Sequence, residues 1–311
     1  MDTKIINIVI RRLLVVIVSF AASMLLVAQS KSVLIYKGDV KLYERHVSNV
    51  DSVVFKTTLD TVSDIEGNVY RTVTFVIGGT KMTWIADNLK TAKLNDGTPI
   101  YNVVDENVKY ENGTSSGNFR MTPAYCWHMN QPGNKHIYGA LYNHLAIETA
   151  KLAPKGWHVA TNAEWIQLEN FLGSKAAYNY DGVAVSNGTA LKVAKSMASQ
   201  FTWSSVSSAA YQEIGNNPNA NNNSGLGLVA CGYRDGTVWG QTGVNGFYWT
   251  STVTTPGSAT TPGGANSRNI TSGTIGFDPA AAPTATGIIS QNKVNLIQLL
   301  FGVHCVKDAT P

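Results

Sequence analysis

Residues 161–173 constrain the fold of this chain more than any other stretch. Thr161-Asn162-Ala163-Glu164 has the spacing of a capping box. In that motif a threonine hydroxyl accepts the backbone N–H of the residue three places on, whose carboxylate reaches back to the threonine amide. Trp165, Leu168 and Leu172 follow at helical intervals, Phe171 widens the apolar stripe, and Gly173 supplies a stop. The pattern predicts one helix that buries this face and exposes Gln167 and Asn170. A weaker helical pattern covers residues 189–198, with Leu191, Ala194 and Met197 on one side.

Most of the remaining chain reads as short strands with frequent turns. Residues 69–77 are β-branched and aromatic, Gly78-Gly79 turns the chain, and residues 81–85 return. Asn95-Asp96-Gly97-Thr98-Pro99 is a further turn signal. Residues 246–252 read as an aromatic core strand, and residues 293–307 carry more apolar strand sequence. Upstream, residues 33–37 and 40–47 flank Gly38-Asp39, and residues 50–55 form a third run. This small sheet, within residues 29–57, is too little to stand alone and has to dock on something or serve as a stalk. The Asn-rich segment 216–223 and the Thr/Pro/Gly/Ala-rich segment 254–286 read as long surface loops, because neither composition buries enough apolar area to offset its ordering entropy.

Composition narrows the class. Of 311 residues 14% are charged, against about 25% in ordinary soluble domains. Gly, Asn, Ser and Thr make up the difference. With seven Trp and thirteen Tyr, the chain resembles neither a disordered segment nor a coiled coil. Net charge is +4, and no basic run exceeds Arg11-Arg12, so nucleic acid is not an expected partner. The start reads as an export signal: Lys4, Arg11 and Arg12 precede an apolar stretch at residues 13–27, which sets a cleavage point after Ala28 and leaves no membrane span in the mature chain.

Three cysteines, Cys126, Cys231 and Cys305, allow one disulfide at most. Their spacing does not choose among the pairings, and three buried thiols are an equal alternative. No Cys-x-x-Cys occurs, and His128, His136 and His144 recur every eight positions, which converges on no metal. Neither a metal nor a cofactor is expected.

Seven segments in order resemble one bacterial family, the Fibrobacter succinogenes major paralogous domain. They are Asp64-Ile65-Glu66-Gly67-Asn68-Val69-Tyr70-Arg71-Thr72-Val73; Trp84-Ile85-Ala86-Asp87-Asn88-Leu89-Lys90 with Asn95-Asp96-Gly97-Thr98; Tyr138-Gly139-Ala140-Leu141-Tyr142-Asn143; Gly156-Trp157-His158-Val159-Ala160-Thr161-Asn162-Ala163-Glu164-Trp165; Gly232-Tyr233-Arg234; Tyr248-Trp249-Thr250-Ser251-Thr252; and Gly302-Val303-His304-Cys305-Val306-Lys307-Asp308. The match spans residues 61–308. It implies an α+β, C-type-lectin-like irregular domain, related also to the formylglycine-generating enzymes, with twisted antiparallel strands, one or two helices and long loops. Trp157, Thr161, Glu164, Trp165 and Trp249 become structural residues. The family often carries a Cys where this chain has Ala153, and Cys231 stands where Pro is more usual. The resemblance therefore points to a Cys231–Cys305 disulfide with Cys126 left as a thiol.

Three functions follow. The first is an exported binding or adhesion module at the bacterial surface, recognising a glycan or a surface protein through loops 211–245 and 254–286, with Tyr211, Tyr233, Arg234, Asp235 and Trp239 as contact residues. Gln131-Pro132-Gly133 and the lack of a Trp-Asn-Asp triplet disfavour a calcium-dependent sugar site. The second is a structural subunit that docks by its N-terminal strands. The third, an oxidase like the formylglycine-generating enzymes, needs two cysteines close in sequence, which Cys231 and Cys305 are not. The expectation is a chain without catalytic activity.

Overall fold

A computed structural model describes residues 32–37, 40–46, 60–104, 122–184, 193–206, 213–235, 238–255, 264–272, 290–294 and 299–309. The expected export signal, the strand at 50–55 and the first part of the second helix lie outside these residues. In chain order the elements are β1 (Ser32–Lys37), β2 (Val40–His46), β3 (Thr61–Ser63), β4 (Val69–Ile77), β5 (Thr80–Ile85), β6 (Tyr101–Asn102), β7 (Ala124–Trp127), α1 (Lys135–Tyr138), β8 (Ala140–Tyr142), α2 (His144–Glu148), β9 (Trp157–Val159), α3 (Asn162–Gly173) and α4 (Ala194–Met197). They continue with β10 (Tyr233–Asp235), β11 (Val238–Gly240), β12 (Asn245–Thr255), β13 (Gly264–Thr271), β14 (Ser290–Val294), β15 (Leu299–Leu300), β16 (Gly302–Val303) and β17 (Cys305–Lys307). The class is mixed α+β, with mostly antiparallel sheets and few short helices.

β4 and β5 form the expected hairpin. Ile77 pairs with Thr80, and Gly78 and Gly79 take φ +58° and +84°, the two positive angles that a two-residue turn of matching twist requires. The sheet order β3-β4-β5-β17-β9 places the C-terminal strand between segments more than 70 residues apart. A second sheet runs β14-β13-β12-β16, and short sheets order as β11-β10-β15 and β6-β7-β8. β1 and β2 pair with each other, and β2 lies against β4.

Helix α3 forms because its capping box closes in both directions: Thr161 Oγ1 accepts the Glu164 N–H, and Glu164 Oε2 accepts the Thr161 N–H at 2.8 Å. Trp165, Leu168 and Leu172 are buried, and Trp165 meets Trp84 edge-on with ring centroids 4.8 Å apart. Gln167 is exposed as expected, whereas Asn170 is half-buried. Trp249 also lies in the core, its indole N–H donating to Tyr142 O at 2.9 Å, and Trp157 is half-buried on β9.

The structure corrects three expectations. Part of the supposed loop at 254–286 is strand β13, buried along most of its length although its sequence is Gly-Ala-Asn-Ser-Arg-Asn-Ile-Thr. The strand is tolerated inside because its one charged side chain is bonded. Arg268, 1% exposed, donates through Nε to Glu169 Oε1 at 3.0 Å and through Nη1 to Asn162 Oδ1 at 2.6 Å, which ties β13 to two turns of α3.

The Asn-rich segment lies at the surface as expected at Asn217, Ala220 and Asn223, but other parts of it are wired into the molecule. Asn221 is buried and donates to Ser199 O and Ile214 O, Asn222 Oδ1 accepts the Gly227 N–H, and Lys195 donates to Glu213 O and Asn216 O. These amides replace water with protein carbonyls, so polarity does not force the segment outward. Finally, all three cysteines are free and buried. Cys231 packs in one apolar cluster with Leu228 and Tyr248, while Cys305 packs in the other with Val159 and Trp249, so the Cys231–Cys305 disulfide is not formed. Burial pushes the Cys231 thiol up to about 11.

On its solvent side α3 carries a second ionic contact. His158 on β9 bonds Glu164 Oε1 through Nε2 at 2.8 Å and Asp308 Oδ1 through Nδ1 at 2.7 Å. Its hydrogen bond to Glu164 raises the imidazole to about 9, against a smaller desolvation effect and with help from Asp308.

Candidate binding face

The candidate residues from the sequence do not converge. β10 and β11 are antiparallel with Tyr233 opposite Gly240, Arg234 opposite Trp239 and Asp235 opposite Val238. Side chains alternate along a strand, so Arg234 and Trp239 share one face while Tyr233, Asp235 and Val238 share the other. The ring of Tyr233 lies over Gly240, where a Cβ would come within 2.4 Å of it, and meets Phe247 edge-on at 5.3 Å. Tyr233 is thus the half-buried end of an aromatic ladder that continues through Phe247, Phe301 and Trp249. Tyr211 lies outside the described residues.

On the other face the residues form a layered group. Arg234 is 1% exposed and donates to Val103 O and, at 2.9 Å, to Asn130 Oδ1. Its guanidinium also lies 5.5 Å from the centre of the Trp239 ring, a cation–π distance. This burial corrects the reading of Arg234 as a ligand contact: it is the internal support on which Trp239 rests. Trp239, half-buried, meets the His128 ring edge-on at 5.7 Å, and His128 stacks on Tyr138 at 3.9 Å. Burial lowers the His128 imidazole to about 4, so it is neutral at pH 7 and packs as an aromatic ring.

Beside this stack the chain turns sharply. Met129 and Asn130 both take positive φ, 55° and 53°, a conformation uncommon for residues other than glycine. The surroundings hold it in place: Asn130 accepts from Arg234 and its Nδ2 donates to Val104 O at 3.3 Å. Met129 is 45% and Val104 56% exposed, and the turn that carries Met129 reaches Trp239 through His128 and through the Asn130–Arg234 bond. Strained backbone that persists because its neighbours over-determine it is a common mark of a functional site. The sequence singled out Trp239 and Arg234 but missed Val104, Met129 and Asn130. No local pattern marks them, because their proximity depends on β6, β7 and β10 meeting in space.

The three histidines at eight-residue spacing do separate work. His128 supports Trp239, His136 lies on α1, and His144 is buried with Nδ1 2.9 Å from Glu148 Oε1 and Nε2 3.1 Å from Thr250 O. Among the described residues no group of three or more His, Cys, Asp or Glu side chains is placed to hold a metal ion.

Comparison with protein-family models matches residues 77–307 to one described as the Fibrobacter succinogenes major domain. No curated protein and no solved structure matches the chain.

Proposed function

The chain belongs to the Fibrobacter succinogenes major domain family, and we propose that it is an exported, non-catalytic recognition module of the bacterial surface that binds a polypeptide segment through the face around Trp239. In this reading the domain is a C-type-lectin-like scaffold and the N-terminal hairpin packs on it. The observation that carries the proposal is the pairing of a supported, half-buried Trp239 with exposed Met129 on a strained turn and with exposed Val104, whose carbonyl that turn bonds. A flexible thioether and an aliphatic side chain beside an indole suit the apolar side chains of a peptide.

A glycan fits this face less well. Sugar recognition pairs a flat ring with amides or carboxylates free to bond hydroxyls, yet the Asn130 amide is engaged at both atoms, by Arg234 and by Val104 O. Tyr233 and Asp235 point to the opposite face of the hairpin. Selection from a random peptide display library by the purified protein tests the proposal. Enriched peptides are expected to bind wild type and to lose about tenfold or more in affinity with Trp239→Ala, the loss typical of an aromatic anchor. Enriched peptides that bind Trp239→Ala as tightly as wild type, with both proteins folded, place recognition elsewhere.

A further inference from the structure

Strand β11 ends its sheet. In the order β11-β10-β15 it has β10 on one side and no strand on the other among the described residues. A strand in that position presents backbone N–H and C=O groups that another backbone can join. The register decides which groups these are. Gly240, opposite Tyr233, turns its carbonyl toward β10, since a Cβ on Gly232 would stand 2.3 Å from that oxygen. Backbone polar groups of successive strand residues face opposite ways. Val238 and Gly240 therefore bond inward, and Trp239 directs its N–H and C=O outward. Neither of these two groups meets a hydrogen-bond partner among the described residues.

The edge is also undefended. Proteins blunt their outer strands with charges, proline or bulges so that stray chains do not pair with them. Strand β14, outermost in the second sheet, carries Lys293, and β3, outermost in the first, is flanked by Asp60 and Asp64. Strand β11 is Val-Trp-Gly, with Val238 59% exposed. Its neighbours hold it in shape nonetheless. Arg234 backs the indole at a cation–π distance, the Tyr233 ring lies over Gly240, and after the turn at Gln241, φ 61°, the Thr242 hydroxyl sits 3.2 Å from His128 Nε2. A strand already fixed in this way loses little freedom when a partner joins it. Three residues are too few to hold two copies of the chain edge to edge. They are enough to align a peptide whose side chains add contacts of their own.

We infer that the peptide ligand binds in extended form as an added β-strand along the outer edge of β11, its backbone bonded to the N–H and C=O of Trp239. This rests on the peptide reading proposed above and specifies how the peptide is held. Residues directly opposite each other on neighbouring strands share a face. The peptide residue opposite Trp239 thus lays its side chain beside the indole, and its two neighbours point to the face of Val238 and Asp235. The ligand class is an extended segment with an apolar residue at the pairing position. A helical segment has already spent its backbone groups on its own turns and cannot make these bonds.

The test uses a peptide enriched by the display selection, synthesised with capped ends and then with a single N-methyl group at each position in turn. Affinity is expected to fall about tenfold at one position, the residue whose N–H donates to Trp239 C=O, because the bond is lost and its acceptor is left unpaired. It should stay unchanged at the positions on either side, whose N–H groups point away from β11. An amide-to-ester replacement at the sensitive position removes the donor without adding a methyl group, and should reproduce most of the loss. In the ¹⁵N-labelled full chain the backbone amide of Trp239 should exchange with deuterium about tenfold more slowly or slower still once the peptide is bound. A scan without one sensitive position, losses spread over consecutive positions, or Trp239 exchange that the peptide leaves unchanged would overturn the added strand. If such peptides still lose binding with Trp239→Ala, the face stands and only the strand falls. A selection that enriches no peptide overturns the reading of the face and the strand with it. A Trp239 amide protected without peptide and released on dilution would put a second copy of the chain on this edge and overturn the inference.

Discussion

Helix α3 is anchored by ionic contacts on two sides, and the two attachments differ in kind. On the inner side Arg268 and Glu169, 1% and 0% exposed, join the helix to β13 with Asn162 as a third partner. On the outer side His158 holds Glu164 and Asp308 where solvent reaches all three. The bond lengths are similar, so geometry alone would rank the two contacts as equals. Burial separates them: an exposed pair gains little over its hydrated state, whereas breaking a buried pair strands a charge in a poorly polarisable interior. Ion-pair length is therefore a poor guide to importance without exposure beside it.

The sharpest test of that contrast is Arg268→Ala, which leaves Glu169 buried without its counter-ion. It should cost about 3–5 kcal/mol in urea unfolding at pH 9, where the wild-type Glu169 is ionised. Arg268→Met with Glu169→Gln, which removes both charges while keeping volume, should recover a large part of that loss. If Arg268→Ala costs no more than the outer contact does, the contrast collapses.

The next effect is a dependence on pH. Burial raises Glu169 from its ordinary 4.5 to about 7, although Arg268 opposes the shift. The folded state thus holds this proton more tightly than the unfolded state. The resulting stabilisation is complete below 4.5 and lost as pH rises through about 7, on the order of 1 kcal/mol or more. Glu169→Gln should flatten that window. The His158 imidazole, also raised, contributes stability that is complete below 6.5 and lost as pH rises through about 9. The two windows overlap but have different upper ends, so stability curves of the single variants across pH 4 to 10 tell the inner contact from the outer one.

The smallest effect belongs to the outer contact itself. His158→Ala should cost about 0–1 kcal/mol at pH 6, since solvent screens an exposed pair. His158→Gln, which can keep hydrogen bonds without charge, should fall between wild type and alanine. A loss from His158→Ala that matches Arg268→Ala would mean that the helix depends on its capping region more than on its buried face.

The same contrast explains what the sequence could reveal. The capping box, the apolar stripe of α3, the Gly78-Gly79 hairpin and the aromatic strand at Trp249 are local patterns with local causes, and each lies where the sequence puts it. Strand β13 reads as loop in the sequence because its residues are polar, and burial of Arg268 depends on Glu169, 99 residues away. Asn221 misled for the same reason: an amide looks solvated until its carbonyl partners are known. The candidate site was legible in half. Trp239 was visible as an aromatic near turns, but the opposite facing of Tyr233 and Asp235 required a strand assignment at β10 and β11. Met129 and Asn130 carry no signal, since nothing in either residue type announces a positive φ.

The recognition face is tested most directly by one competition measurement. Peptides selected by the wild-type protein are bound to wild type and to Met129→Glu, which places a charge on the exposed turn beside Trp239 without disturbing a buried group. The account predicts that Met129→Glu loses most of this binding while its thermal unfolding matches wild type. Undiminished binding by a folded Met129→Glu protein would contradict the assignment of this face.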